Sequence, residues 1–293
     1  MRNDNKGISR RDFTKKSATA LAGISLLQIG SPLLASSVVS RNDIEVNLFS
    51  KHLQFLDYNE MCSAAADIGF NGLDLTVRPK GHVLPENVTE DLPKAVEAMK
   101  KYGLNPQMLT TNVWDISNET EQSQAIFLEQ AAKLGEVNKK LGLIGCYQNH
   151  AGNHVGAPIW DLPAILSKAD DNYMGCQYDI RHAVVEGGKS WELDLRRIEP
   201  LIKSIVIKDF KWGYKNGKYE PINTPLGEGV VEFDKYFSLL KKYKINVPIS
   251  LHLEYDLGGA EHGAKEITMD KKEVFAKMKH DLLFIREAWQ RAE

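Results

Sequence analysis

From residue 44 to its end the chain alternates between short apolar runs and longer amphipathic stretches, which restricts it to few folds. Ile44 to Phe49 alternates like a strand, and Tyr58 to Ile68 has helical spacing that Gly69 stops. Gly72 to Val77 reads as a second strand, and Asp91 to Tyr102 as a second helix with Gly103 at the position after the cap, where a left-handed residue is wanted. Gln107 to Thr111 is a third strand. Glu119 to Lys140 is helical, with Phe127, Ala131, Leu134 and Leu141 along one stripe. Four more strands follow, at Leu143–Tyr147, Gly175–Asp179, Ile202–Lys208 and Val247–Glu254. Helices are expected at Ile159–Ala169, Trp191–Ile198 (with Ser190 as N-cap), Phe233–Tyr243 and Lys271–Arg291.

Regular βα alternation predicts parallel strands with helices outside. No GxGxxG follows the first strand, so a dinucleotide-binding sheet loses ground and a (β/α)8 TIM-type barrel is expected. Only seven strands are visible, however. Leu134-Gly135 reads as the end of one helix and Glu136 to Leu141 as the end of another, with no strand between them. The barrel is therefore expected to be irregular, with one β/α unit missing or degenerate near residue 135, and the strands on either side either neighbours or bridged by helix.

The charge balance, 37 Lys+Arg against 39 Asp+Glu, argues against a nucleic-acid partner, which needs a basic face. Hydrophobic residues at 43% supply a large core and rule out a disordered chain. Cys62, Cys146 and Cys176 have no metal spacing and read as small buried residues.

The N-terminus reads as an address. Ser9-Arg10-Arg11-Asp12-Phe13 precedes a weakly apolar stretch from Ala18 to Leu34, and Ala35-Ser36-Ser37 offers small residues at signal-peptidase spacing. This resembles a twin-arginine export signal over residues 1–37, leaving a barrel domain over 38–293, close to the ~250 residues typical of such a barrel. A periplasmic or otherwise exported protein is expected, with no membrane association after cleavage.

In this architecture chemistry sits at the C-terminal ends of strands. Arg78 and His82 leave the second strand on one loop, where both can hold a substrate. Gln148-Asn149-His150 and His154 leave the strand after residue 143; Asp179, Arg181 and His182 leave the next; Lys208-Asp209 and Trp212 the next; His252 and Glu254 the last. Asp179 can be a functional carboxylate or cap a loop. Glu254 lies beside Leu253 on an apolar strand, where an unpaired carboxylate is unfavourable by several kcal/mol, and His252, two residues away, shares its face. His150 can ligate a metal or be a hydrogen-bonded core histidine. Lys208 can act as an electrophile or pair with Asp209. Trp212 and Trp114 can stack on a substrate face or simply pack, and His154, His262 and His280 read as surface or loop residues.

Six segments in order carry a resemblance. Gly69-Phe70-Asn71-Gly72-Leu73-Asp74-Leu75, Tyr147-Gln148-Asn149-His150, Asp179-Ile180-Arg181-His182, Ile207-Lys208-Asp209, Leu226-Gly227-Glu228-Gly229-Val230-Val231-Glu232-Phe233 and Glu254 resemble motifs of the xylose-isomerase-like barrel superfamily of sugar isomerases and epimerases, which also contains 2-keto-myo-inositol dehydratase. The resemblance implies one divalent metal, Mn, Co, Zn or Mg, held by carboxylates and a histidine from successive strands. Asp179 and Glu254 fall on two of those positions, and His150 or His252 can complete the set. The family histidine before Lys208-Asp209 is Val206 here, and no clear equivalent of the fifth-strand glutamate is found. The resemblance implies that His182 contacts a sugar hydroxyl. The expected activity is that of an exported isomerase or epimerase, with Glu254, Lys208 and His182 as catalytic residues and a sugar or keto-sugar as substrate. The alternatives are a lyase or dehydratase on a keto-sugar, keto-cyclitol or 3-keto-glycoside, and a sugar-binding barrel without catalysis. A homo-oligomer is compatible with the incomplete barrel.

Overall fold

The computed structural model describes residues 44–78, 80–84, 87–110, 128–129, 132, 135–136, 138–140, 142–168, 170 and 172–293. Seven parallel strands close into a barrel: β1 (Val46–Phe49), β2 (Gly72–Thr76), β3 (Asn105–Thr110), β4 (Ile144–Gln148), β5 (Met174–Asp179), β6 (Ile202–Ile207) and β9 (Ile249–Leu251), with β9 paired to both β6 and β1. Between β6 and β9 an antiparallel hairpin, β7 (Asp209–Lys215) and β8 (Lys218–Thr224), stands apart from the barrel sheet.

The irregular closure lies where the sequence places it. β3 pairs directly with β4, with Met108 opposite Ile144 and Thr110 opposite Cys146. Because these strands hydrogen-bond to each other, no barrel strand lies between them, and the missing unit leaves no open sheet edge to be covered. The stripe expected at Phe127, Ala131, Leu134 and Leu141 lies outside the described residues, as do Trp114 and the export signal.

The helices that position the site form for local reasons. α1 (Tyr58–Ile68) opens with a reciprocal cap: Glu60 N donates to Asp57 Oδ1 at 2.8 Å and Asp57 N donates to Glu60 Oε2 at 3.3 Å. α2 runs Val88–Lys101, starting earlier than expected, and Gly103 follows its end at φ 71°. α3 is only Leu162–Ile165, much shorter than the helix expected over Ile159–Ala169. α4 (Ile180–Gly187) begins directly at the end of β5, and α5 (Trp191–Ile198) lacks the expected Ser190 side-chain cap, whose Oγ donates instead to the Gly187 carbonyl at 2.9 Å. α6 (Phe233–Tyr243) buries Phe233, Tyr236, Phe237 and Leu240, one face at helical spacing. The long α7 (Lys271–Arg291) buries Val274, Met278, Leu282, Ile285 and Ala288. All three cysteines are free and buried.

The barrel interior is not wholly apolar. Asp74, on β2 and fully buried, accepts from Gln177 Nε2 at 3.0 Å and from Ser250 Oγ at 2.7 Å, tying three strands together beneath the site. His52, in the 3-10 turn after β1, accepts from Leu253 N at its Nε2 (3.0 Å). That bond pins the exit of β9, where His252 and Glu254 lie.

Candidate active site

A cavity of about 420 Å³ opens among side chains from the C-terminal ends of the barrel strands, within the roughly 300–1,000 Å³ of small-molecule sites. Lys208, one residue past β6, lies at its centre. Its Nζ is 3.0 Å from Asp179 Oδ2, 2.9 Å from His182 Nε2 and 4.0 Å from Glu254 Oε1. An ammonium has three N–H donors. One is directed at Asp179 and a second lies against His182 Nε2, which can accept it only in the tautomer that does not accept from Arg181 at Nδ1, and Glu254 is too distant to take the third as a hydrogen bond. The third N–H is therefore free for a substrate oxygen.

Asp179 is held from several sides. Gln148 Nε2 donates to its Oδ2 at 2.6 Å, and His182 N donates to its Oδ1 at 3.1 Å, so the same carboxylate caps α4 and pairs with Lys208. Asn149 clamps the Asp179 backbone, accepting from its N–H at 2.7 Å and donating to its carbonyl at 3.1 Å. Glu254 accepts from Lys51 Nζ through both oxygens, at 2.9 and 3.0 Å. Burial pushes the Glu254 carboxyl up, but Lys208 and Lys51 beside it outweigh burial and hold it well below the usual carboxylate range.

Burial lowers the pKa of His182, His150 and His252 below the ordinary imidazole value. Burial, then the positive charge of Lys208, lowers His182 well below its ordinary value, and Arg181 Nη1 lies 3.1 Å from its Nδ1. An imidazolium there would face two cations. His150 is lowered to about 4, again by burial first and Lys208 second. Its Nδ1 is 2.9 Å from the Ala151 carbonyl, which can only accept, so Nδ1 carries the proton and Nε2 holds a lone pair. The His150 ring packs 4.0 Å from His182 and 4.5 Å from His154, and all three line the cavity. His252 stacks on Phe49 at 3.9 Å, with Nδ1 3.9 Å from Glu254 and Nε2 3.6 Å from Asp74.

The structure thus gathers Asp179, Glu254, Lys208, His182, His150, His252 and Arg78 around one cavity. Other expectations are corrected. His82 does not share the site with Arg78: its Nδ1 lies 3.2 Å from Ser50 Oγ, and the ring borders a second cavity beside Tyr58 and Gln54. Trp212 is half exposed and does not line the cavity: it shares a face of β7 with Phe210, packing edge-on against it at 5.6 Å, but lies further out along the hairpin that stands apart from the barrel sheet. His154, read as a loop residue, borders the cavity. Lys208 does not pair with Asp209, which turns the opposite way. Asp209 accepts from the backbone N–H groups of Phe210, Gly227, Gly229 and Val231 at 2.8–3.2 Å, fixing the loop before α6. A Cβ on Gly229 would collide with Asp209 Oδ1, so only glycine permits that approach.

Sequence reasoning missed Lys51, which approaches from the turn after β1 across 203 residues of sequence. It also missed Asn223, contributed by the hairpin, which accepts from Arg181 Nη2 at 2.9 Å and donates to the Glu254 carbonyl at 3.3 Å.

A divalent ion does not fit this donor set. Both oxygens of Glu254 face Lys51, both oxygens of Asp179 face N–H donors, and the Lys208 ammonium lies between the two carboxylates. Val206, at the family histidine's position, is a fully buried apolar side chain. Among the described residues no group of three or more His, Cys, Asp or Glu is arranged to hold a metal. The expected set of Asp179, Glu254, His150 and His252 is instead a set of ion pairs and stacked rings around a lysine.

Fold and site together define a parallel α/β barrel with a charged small-molecule cavity at its strand exits. Residues 79–276 match the family model described as a xylose isomerase-like TIM barrel, well over half of the chain, and the chain belongs to that family. Solved structures share the fold. D-allulose 3-epimerase from Methylomonas sp. is 11% identical with a TM-score of 0.60, covering 84% of this chain and 98% of that one. D-psicose 3-epimerase from Clostridium cellulolyticum H10, determined with D-tagatose, is 11% identical with a TM-score of 0.58, covering 84% and 99%. The probable 3-DHS dehydratase AsbF from Bacillus anthracis is 14% identical with a TM-score of 0.55, covering 80% and 98%. No curated protein matches the chain.

Proposed function

We propose that this chain is an enzyme that moves a proton at the carbon next to the carbonyl of a sugar or keto-sugar, as an isomerase or epimerase. The observation that carries the reading is the free N–H of Lys208, aimed into a cavity that also holds a histidine with a defined lone pair. A carbonyl oxygen on Lys208 Nζ would receive the charge that develops when the neighbouring carbon loses its proton. His150 Nε2 and the ionised Glu254 are the groups able to take that proton. The Lys208 ammonium lies between Asp179 and Glu254, the two residues that fall on family ligand positions by resemblance, and on this reading it takes the role of the electrophile. Family membership and the neighbouring epimerase folds support this reading.

A second reading is β-elimination from a keto-sugar or 3-keto-glycoside. It begins with the same proton removal and then expels a hydroxyl or glycosyl oxygen, which needs a proton donor near the base. The packed rings of His150, His154 and His182 favour it. One experiment tests both: incubation with keto-sugars in deuterated water, followed by NMR. For the first reading deuterium is expected at the carbon beside the carbonyl of the recovered sugar or its epimer; for the second that carbon loses its hydrogen, and an unsaturated product appears together with the released hydroxyl or glycosyl group. Binding without exchange on any keto-sugar would leave the non-catalytic barrel.

Export through residues 1–37 belongs to the same proposal. Replacing Arg10-Arg11 by two lysines should retain an uncleaved precursor in the cytoplasm. An unchanged exported yield, or a mature N-terminus still at Met1, would refute it.

A further inference from the structure

We infer that the substrate of this site carries an anionic group, a carboxylate or a phosphate, engaged by Arg78 and Arg181. This deepens the proton-transfer reading and rests on it for the site's identity, but its basis is a separate observation: the charges around the cavity do not balance. Lys51 is matched by Glu254 and Lys208 by Asp179, in both cases at 3.0 Å or less. Two guanidinium groups remain. Arg181 is buried, yet no described carboxylate lies within ion-pair distance of it; its Nη groups face a neutral histidine and an asparagine oxygen, and its Nε has no hydrogen-bond partner among the described residues. Arg78 packs 5.4 Å from the Phe49 ring centroid, and again no described carboxylate pairs with it. Both line the cavity.

His150 and His182 do not supply the missing counter-charge, since an imidazole carries no negative charge, and burial and Lys208 hold both below their ordinary value. The Asp74 and Glu254 carboxylates act on Arg78, and those of Asp179, Glu254 and Glu186 on Arg181, but only at a distance: among the described residues none lies within ion-pair distance of either guanidinium, and Asp74 is bonded by Gln177 and Ser250. A buried guanidinium without a counter-charge is strongly unfavourable unless something supplies one. Guanidinium is also the side chain whose planar fork matches carboxylate and phosphate oxygens two at a time. A neutral hexose would leave both groups without a direct ion-pair partner; an acidic sugar supplies one while its carbonyl lies on Lys208.

Calorimetric titration of the full chain with glucose, glucuronate and glucose 6-phosphate tests this. At least one acidic sugar should bind about tenfold or more tightly than glucose, the scale of one added charge-assisted hydrogen bond, and the advantage should shrink with added salt. A preference for glucuronate identifies the group as a carboxylate, and for glucose 6-phosphate as a phosphate. Arg78 is half-buried and makes no ion pair with a described residue, so Arg78→Gln should fold and lose most of the advantage, while Arg78→Lys should retain part of it. Equal affinity for the three sugars, no detectable binding of either acidic one, or an advantage that survives both Arg78→Gln and Arg181→Lys would overturn the inference. Deuterium exchange on a neutral keto-sugar without anion preference would overturn it while leaving the proton-transfer reading intact. Anion preference with no exchange would do the reverse.

Discussion

Glu254→Gln is expected to lower the rate of deuterium exchange into a keto-sugar by roughly 10²–10⁴-fold, the usual loss when an acid–base group is removed, with the fold retained. The substitution keeps the side chain's shape. A glutamine oxygen can still accept one bond from Lys51, so the turn after β1 keeps its contact with the end of β9. What disappears is the negative charge that Lys51 and Lys208 hold in place against burial. Thermal unfolding by circular dichroism should show a modest change beside the kinetic one. Full exchange activity in the variant would remove Glu254 from the chemistry and leave His150 as the only proton carrier in the proposal.

That residue was legible in the sequence because two independent signals met on it: an apolar strand ending in an acid, and the last segment of an ordered set of motifs. Helices read equally well where both ends carry chemical markers. Tyr58–Ile68 has its reciprocal cap and Gly69, Phe233–Tyr243 has an unbroken apolar face, and that of Lys271–Arg291 is interrupted by Asp281. The missing unit near residue 135 was also legible, because two helix ends without a strand between them leave β3 no partner but β4.

Other features were hidden for physical reasons. The segment from Ile159 carries Pro163 just inside a single short turn, and apolar spacing alone overstated its length. The hairpin was missed although Asn216-Gly217, at φ 53° and 82°, is the turn pair that suits two twisted strands; its strands carry Lys, Tyr and Trp rather than an apolar face. Lys51 had no pattern to reveal it. A lysine in a turn looks like any solvated charge until barrel closure brings β1 beside β9. The donor set was hidden for a related reason: Asp179 and Glu254 stand where ligands would stand, but only the folded chain shows that Lys208 lies between them.

Lys208→Met should show the largest combined effect, and its pH dependence tells why. Methionine fills similar space but leaves the fully buried Asp179 without its cation, and breaking a buried pair by removing one partner typically costs about 3–5 kcal/mol. Exchange activity should also vanish, because no other described group places a free N–H between the two carboxylates. The effect on Glu254 fixes the sign with pH. Its carboxyl is depressed in the folded protein, burial being outweighed first by Lys208 and then by Lys51. Its contribution to stability is therefore present above the unfolded carboxylate value of about 4.3 and is lost only as pH falls through the lower folded value. Without Lys208 the folded value rises, so the variant loses this contribution at neutral pH and its deficit against the parent is greatest there. The deficit should narrow as pH drops below the variant's folded value toward the parent's lower one, since a carboxyl that has taken up a proton in the folded variant no longer needs the cation. Denaturant unfolding of both proteins from pH 8 to pH 3.5 measures the difference directly. A deficit that stays constant across that range would mean that Lys208 supports the fold through packing alone, and that its ion pairs with Asp179 and Glu254 do not stabilise the site.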